Sequence, residues 1–205
     1  IGSRNGGASA ATTATNSELS SHRPGNALLR RGIPFTQPGA GNGREMATVD
    51  DVALNKVFHD HECAYYDERF GIVHDEASAR KAQQEVEELL GETLPPAAVV
   101  LDVGCGTGWF AAGLGRARPD VTVVGLDLSA GMLGKATEAG ASRLVQGDAT
   151  RLPFADSSID VVVGRGVLHH LPDPLAALVE WRRVVTPDGA VVLSSEPTPI
   201  VEVHG

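Results

Sequence analysis

The chain has 205 residues, a formal net charge of -9 at pH 7 and 42% hydrophobic residues. This length and composition predict one α/β domain together with some irregular chain. The acidic excess disfavours nucleic acid as a partner, because nucleic-acid binding usually needs a basic face. No apolar run approaches the length of a membrane span. The two cysteines, Cys63 and Cys105, predict no disulfide framework, so a cytoplasmic location is the simplest expectation.

Composition changes along the chain predict three regions. Residues 1–45 are rich in Gly, Ala, Ser, Thr, Asn and Pro without sustained periodicity, so we expect a disordered segment there. Residues 46–95 are predicted to form an N-terminal helical cap, and residues 96–205 the core. The first methionine is Met46, and one hypothesis is that it is the natural start of the protein.

The clearest helix of the cap covers residues 78–90, with Gly91 placed to end it. In the core, apolar β-branched runs alternate with helical patterns. The predicted strands are residues 99–103, 121–127, 142–146, 159–164 and 190–195. The predicted core helices are residues 109–118, 130–139 (capped by Ser129) and 174–185. This alternation predicts an α/β fold with a Rossmann-like, doubly wound, mostly parallel sheet, whose ligands bind beyond the carboxyl ends of the strands.

The first predicted strand runs directly into three glycines at alternate positions, Gly104, Gly106 and Gly108. A strand, a glycine turn and a helix start form a nucleotide-binding site, because the turn admits a ligand close to the backbone and the helix offers free N–H groups. A dinucleotide fingerprint has the spacing G-x-G-x-x-G. Here the third glycine comes one residue early and Trp109 follows it. Tight packing alone is the alternative role of this turn.

Acidic residues follow the second and third predicted strands at the same edge. Asp127 ends the second strand, where a carboxylate can accept hydrogen bonds from two ribose hydroxyls. Its alternative role is that of a helix cap or a solvated turn residue. Asp148 follows the third strand, where its carboxylate can accept from an adenine amine while the next backbone N–H donates to the ring. An ordinary Asp turn is the alternative here.

Together these motifs resemble the class I S-adenosylmethionine-dependent methyltransferases of the small-molecule type, similar to enzymes of ubiquinone and menaquinone biosynthesis. The matching segments occur in the family's order over about half of the chain. They are LDVGCGTG (101–108), GLDLS (125–129), GDA (147–149), LPF (152–154), DVVV (160–163), VLHHL (167–171) and PDG (187–189).

The resemblance implies S-adenosyl-L-methionine as the cofactor and a small molecule as the methyl acceptor. It assigns the methionine part of the cofactor to the three glycines and the methionine amino group to Asp102. It assigns the ribose to Asp127, the adenine to Asp148 and Ala149, and the adenine face to Met132.

Three further residues complete the predicted cofactor site. Leu128 follows Asp127, and Arg165 ends the fourth strand. At the end of this strand, enzymes that methylate exocyclic amines of bases or glutamine commonly carry the motif Asn/Asp-Pro-Pro-Tyr/Phe. This chain lacks that motif, which lowers the case for those acceptors. Tyr66 lies in a Tyr-Tyr-Asp stretch that resembles the segment covering the cofactor in many relatives.

His169 and His170 are the candidate general bases, and a structural role at a helix start is the alternative. A sulfonium methyl needs little acid-base help when the nucleophile is already basic, since the cofactor supplies the reactive carbon and the protein supplies alignment. No metal is predicted, because the metal-ligating side chains of the cap lack a familiar zinc spacing. These side chains belong to His59, His61, Cys63 and His74.

The family's complete fold has seven strands, and this sequence ends soon after the fifth, so we expect a sheet that is truncated after that strand. Two alternative functions remain open. One is a non-catalytic module that binds the cofactor or a nucleotide without transferring a group. The other is an NAD(P)-dependent oxidoreductase, which Trp109 disfavours. No motif specifies an O, N or C acceptor atom, or an oligomeric state.

Overall fold

The computed structural model describes residues 51–197. The predicted disordered segment, residues 1–45, and the hypothesis on Met46 lie outside the described residues. Across residues 51–197, every helix is too short or too polar to cross a membrane.

Five strands form one sheet in which every neighbouring pair is parallel, in the order β3-β2-β1-β4-β5. The strands are β1 (Val99–Val103), β2 (Thr122–Asp127), β3 (Leu144–Gln146), β4 (Ile159–Arg165) and β5 (Val185–Ser194). The predicted α/β class and Rossmann-like sheet are confirmed. The order reverses between β1 and β4, so the carboxyl edge of β1 is the switch point where such sheets bind ligands.

The strand ends lie within two residues of the prediction, except that β5 begins at Val185 rather than at residue 190. Val185 pairs with Ile159 ahead of an irregularity in the register. The intervening turn-like residues Pro187, Asp188 and Gly189 therefore lie inside the strand.

Helices cover both faces of the sheet. Helices α3 (Glu76–Leu90), α4 (Trp109–Ala117) and α5 (Ala130–Glu138) pack on one face, and α6 (Pro174–Val184) packs on the other. Successive residues of β1 alternate between the two cores: Val100 faces the first and Leu101 the second. This burial on both faces explains why β1 and β4 are mainly apolar.

Local capping fixes the helix ends near the glycine loop. The Ser129 hydroxyl accepts from the Met132 N–H at the start of α5, as the sequence predicts. Helix α3 starts two residues earlier than predicted, because Asp75 caps it by accepting from the Ser78 N–H. It ends at Gly91, whose φ of +74° is left-handed.

Helices α1 (Asp51–Glu62) and α2 (Tyr66–Phe70) complete the region predicted as a cap, and they bury little apolar surface. Leu54, Val57 and Phe58 of α1 are each more than half exposed. Polar contacts hold these helices over the sheet edge instead. The Asp60 carboxylate accepts from the Ser129 hydroxyl at 2.6 Å and from the Gly131 N–H at 3.2 Å.

A second carboxylate ties the cap to the glycine loop. Asp67 accepts from the Thr107 hydroxyl at 2.5 Å, and its other oxygen lies 3.0 Å from His74 Nε2. Helix α3 behaves differently, because it buries its apolar stripe against α4 and so forms part of the core.

Candidate active site

A pocket lies at the carboxyl edge of the sheet, below α1, and holds about 820 Å³ of space that is open to solvent. Nine of the eleven predicted cofactor-contacting residues line it: Tyr66, Gly104, Gly106, Asp127, Leu128, Met132, Asp148, Ala149 and Arg165. His170 also lines the pocket, whereas Asp102, Gly108 and His169 do not.

The Asp127 carboxylate joins the glycine loop to the start of α5. One oxygen accepts from the Gly106 N–H at 2.8 Å, and the other accepts from the Ser129 N–H at 2.9 Å. Burial raises the pKa of Asp127, while these backbone hydrogen bonds oppose that rise. Each carboxylate oxygen can accept more than one hydrogen bond, so capacity remains for ribose hydroxyls.

The three glycines of the loop have left-handed backbones but different surroundings. A Cβ on Gly104 would lie 2.5 Å from Val167 Cγ2, and a Cβ on Gly108 would lie 2.8 Å from Ala136 Cβ. A Cβ on Gly106 would meet nothing within 4 Å. Gly108 therefore serves the packing of the loop on α5, whereas Gly106 keeps space open beside the pocket.

Gly106→Ala is expected mainly to weaken ligand binding, whereas Gly108→Ala is expected mainly to lower stability. The φ of +53° at Gly106 costs an alanine about 1–2 kcal/mol of stability. Its methyl group enters open space, so S-adenosylhomocysteine affinity should fall by at least about tenfold in a folded protein, which is about 1.4 kcal/mol. Gly108→Ala adds overpacking against Ala136 and should lose about 1–3 kcal/mol more. Urea unfolding and calorimetric titration of both variants check this, and equal stability losses would contradict it.

Asp102 on β1 is 1% exposed, and its Oδ2 has no hydrogen-bond partner within the part of the chain that the structure describes. Burial, followed by the nearby charge of Asp127, raises the pKa of Asp102 to about 7, and Arg165 opposes this rise. A buried carboxylate oxygen without a partner is costly. Asp102 stands two residues before Gly104, which lines the pocket, although Asp102 itself does not line it.

Arg165 is held at the pocket by two residues that the sequence did not connect to it. Its guanidinium carbon lies 4.4 Å from the centroid of the Trp109 ring, and its Nε donates to Glu85 Oε1 at 3.3 Å. Trp109, which follows the third glycine of the loop, therefore positions the guanidinium of Arg165. Arg165 is the only Lys or Arg among the pocket-lining residues that the structure describes.

Asp148 and Ala149 lie at the far side of the pocket, after β3. Asp148 Oδ1 accepts from the N–H and the hydroxyl of Thr150, both at 2.8 Å. The ordinary Asp turn is thus present, and the same residue also lines the pocket. The Ala149 carbonyl accepts from Trp181 Nε1 at 2.8 Å, which fixes this backbone from the core side.

The two candidate bases differ in their surroundings. His169 Nδ1 lies 2.9 Å from Glu196 Oε2, and the same carboxylate accepts from the Val167 N–H at 2.7 Å and the Leu168 N–H at 2.9 Å. His169 therefore belongs to a structural clamp on the segment after β4. His170 faces the pocket, and burial, followed by the neighbouring histidines, lowers its pKa.

Helix α1 contributes pocket residues that sequence reasoning missed. Val52, Asn55 and His59 line the pocket from above. The sequence singled out His59 only as a metal ligand, and residues 51–197 contain no cluster of three or more side chains that could hold a metal ion. The helical pattern of the cap gives no signal of the direction in which α1 crosses the sheet edge.

Comparison with known proteins finds methyltransferases that are similar to part of this chain. A family model described as a methyltransferase domain matches residues 101–193. An uncharacterized methyltransferase of Mycobacterium sp. (strain JLS) is 38% identical over 125 residues, which cover 61% of this chain and 48% of that protein. A demethylmenaquinone methyltransferase of Staphylococcus aureus (strain JH9) is 46% identical over 106 residues, covering 48% of this chain and 44% of that protein.

Among solved structures, an S-adenosylmethionine-dependent methyltransferase from Thermotoga maritima is similar, with a TM-score of 0.53 at 27% identity. The match covers 68% of this chain and 60% of that one. The chain spans about half the length of the curated relatives it matches. The match of residues 101–193 to a methyltransferase domain confirms the resemblance to class I S-adenosylmethionine-dependent methyltransferases seen in the sequence motifs.

Proposed function

We propose that this chain binds S-adenosyl-L-methionine in the pocket and transfers its methyl group to an O, N or C nucleophile of a small molecule. The observation that carries the proposal is the unpartnered, buried oxygen of Asp102 beside a glycine loop that Asp127 holds in place. An ammonium group for Asp102 and vicinal hydroxyls for Asp127 are what the methionine and ribose parts of this cofactor offer. The relatives named as methyltransferases support the same conclusion.

The chemistry that the bound cofactor supplies is an electrophilic methyl carbon on a sulfonium. The residues of the chain bind the cofactor and align its methyl group with the acceptor. Asp127 orients the ribose. The free space at Gly106 lets the ligand lie directly against the backbone of the loop. Asp60 and Asp67 hold the cap helices over the pocket, so that the cap forms one wall of the site in which the reactants are aligned. S-adenosylhomocysteine is the expected leaving product.

Asp102 is expected to make stability and ligand affinity depend on pH in opposite directions. Its pKa is about 7 in the folded chain, above the usual 3.8, so the folded state holds the proton more tightly. Its contribution to the free energy of unfolding should therefore fall as pH rises from about 4 to about 7, by at most about 1.4 kcal/mol per pH unit. An ammonium ligand needs the ionised carboxylate, so S-adenosylhomocysteine affinity should rise over the same range.

The check on Asp102 is a comparison of the chain with its Asp102→Asn variant. Urea unfolding and calorimetric titration are repeated at several pH values, and the difference between the two proteins isolates this one group. The variant should lose both trends. Identical pH profiles in the two proteins would show that Asp102 does not titrate in this range.

Arg165 is expected to bind the carboxylate of the methionine part. A hydrogen bond to a charged group contributes about 1.5–3 kcal/mol, so Arg165→Gln should weaken S-adenosylhomocysteine binding roughly 10- to 150-fold. Binding of 5′-methylthioadenosine, which lacks that carboxylate, should not change. Arg143→Gln, an exposed position before β3, is the matched control. An equal loss for both ligands would contradict this role.

Turnover is tested with S-adenosylmethionine labelled in its methyl group and a panel of phenols, quinols and amines. The proposal predicts labelled product and an equal amount of S-adenosylhomocysteine with at least one acceptor. A chain that binds S-adenosylhomocysteine but labels no acceptor is instead the non-catalytic binding module. NADH binding in place of S-adenosylhomocysteine binding would favour the oxidoreductase.

A further inference from the structure

His59 brings an imidazole from the cap into the pocket. It lies on α1, lines the pocket and contacts the ring of His170 edge-on, with 5.3 Å between the ring centroids. Its side chain is 19% exposed. Asp127 on β2 and His170 are the titratable groups that face it from other elements. A histidine from the cap thus reaches the space between the predicted cofactor site and the segment after β4.

The two ring nitrogens of His59 have different surroundings. Nδ1 is shielded from solvent and makes no hydrogen bond within residues 51–197, and the nearest carboxylate oxygen, Glu62 Oε2, lies 3.7 Å away. Glu62 is itself paired with Arg69. Nε2 is the other nitrogen of this ring, on a residue that lines the pocket. If Nε2 accepts a proton, Nδ1 carries part of the new positive charge, and Glu62 is the carboxylate placed to stabilise it.

His170 lacks this arrangement, although it lines the same pocket. Its ring lies between those of His59 and His169, with centroid distances of 5.3 Å and 4.0 Å. The carboxylate of Glu196 is bonded to His169 instead. Of the pocket's two histidines, His59 is therefore the one with a carboxylate oxygen within 4 Å of a ring nitrogen among the described residues.

The pocket surface around His59 limits the chemistry of an acceptor. Val52, Leu171 and Pro172 give this region an apolar surface. The side-chain amide of Asn55 donates a hydrogen bond to the His170 carbonyl at 3.4 Å. The charged residues that line the pocket are Asp127, Asp148 and Arg165, which the proposed function assigns to the cofactor. A cationic amine would find no further carboxylate among the described residues that line the pocket. A neutral, mainly apolar molecule with a weakly acidic hydroxyl suits this surface.

We infer that His59 is the general base of this site and that the acceptor is a phenolic or enolic hydroxyl compound. The inference rests on the proposed function. The acceptor hydroxyl gives its proton to His59 Nε2 while its oxygen forms the bond to the methyl carbon. The sulfur–methyl bond breaks, and its electron pair stays on sulfur, which leaves as neutral S-adenosylhomocysteine. Glu62 stabilises the imidazolium until the proton passes to solvent.

The test compares two phenols of different acidity in a mildly alkaline assay. The hydroxyl of phenol is protonated there, whereas 4-nitrophenol is already ionised and needs no base. General-base catalysis contributes about 100-fold or more, so His59→Gln should lower kcat/KM for phenol by about that factor and leave kcat/KM for 4-nitrophenol nearly unchanged. Glu62→Gln should show the same selectivity to a smaller extent. His61→Gln, exposed on the same helix, is the control and should change neither rate.

S-adenosylhomocysteine affinity is measured for each variant, so that loss of the fold or of the cofactor site is seen separately. An equal loss of rate with both phenols would assign His59 a structural role and overturn the inference. A wild-type chain that binds S-adenosylhomocysteine but methylates amines only, or neither phenol, would overturn the acceptor class. A wild-type chain that does not bind S-adenosylhomocysteine would overturn the proposed function itself.

Discussion

Asp127→Asn is expected to weaken the binding of S-adenosylhomocysteine by at least about 100-fold, because hydrogen bonds to a charged group contribute about 1.5–3 kcal/mol each. In the free chain the carboxylate accepts from the N–H groups of Gly106 and Ser129. An amide at this position can offer an oxygen to only one of them and turns an NH₂ donor towards the other. The loop therefore loses an anchor at the point where the ligand loses a ribose acceptor.

Calorimetric titration measures this effect, with urea unfolding run in parallel to confirm that the variant is folded. Asp120→Asn is the matched control, since Asp120 is an exposed residue that precedes the opposite end of β2. The control should bind as tightly as the unmodified chain. An Asp127→Asn variant that retains affinity within a few fold would show that this carboxylate does not hold the ligand.

Trp181→Ala is expected to have the largest effect on stability, a loss of about 3–5 kcal/mol in the free energy of unfolding. Trp181 is fully buried on α6, and its ring packs directly over Gly164 of β4, where an added Cβ would lie 2.5 Å from the ring. Its Nε1 also donates to the carbonyl of Ala149, a pocket-lining residue that is predicted to contact adenine. The substitution therefore leaves both a cavity and a carbonyl without its donor.

Trp181→Phe separates these two contributions, because it keeps most of the ring and removes only the donor. It should lose about 1–3 kcal/mol, the cost of leaving one buried polar group unsatisfied. Val179→Ala, an exposed position on the same helix, should change stability by less than about 0.5 kcal/mol. Urea unfolding measures all three variants. A Trp181→Ala variant as stable as the control would contradict the packing described for α6.

The part of the fold that local pattern determines was predictable from the sequence. Short β-branched runs predicted β1, β2 and β4, since a strand buried on both faces has few alternatives. The cap at Ser129 also followed from local chemistry. The early start of β5 was not predictable, because its Pro-Asp-Gly segment has turn residues and the strand begins where Val185 pairs with Ile159 of β4.

The roles of individual site residues depend on contacts with residues far away in the sequence. The sequence motifs alone therefore did not distinguish these roles. Gly106 and Gly108 give the same signal in the sequence, yet only the packing of Ala136 against Gly108 distinguishes them. The position of His59 depends on α1, which is held by Asp60 reaching across to α5 rather than by a buried apolar stripe. Such polar contacts between distant segments leave no periodic pattern.

The measurement that tests the central claim most directly is a calorimetric titration of the chain with S-adenosylhomocysteine and, separately, with NADH. The cofactor assignment predicts saturable binding of S-adenosylhomocysteine at one site and much weaker binding of NADH. Tighter binding of NADH, or no binding of S-adenosylhomocysteine by the folded chain, would contradict it.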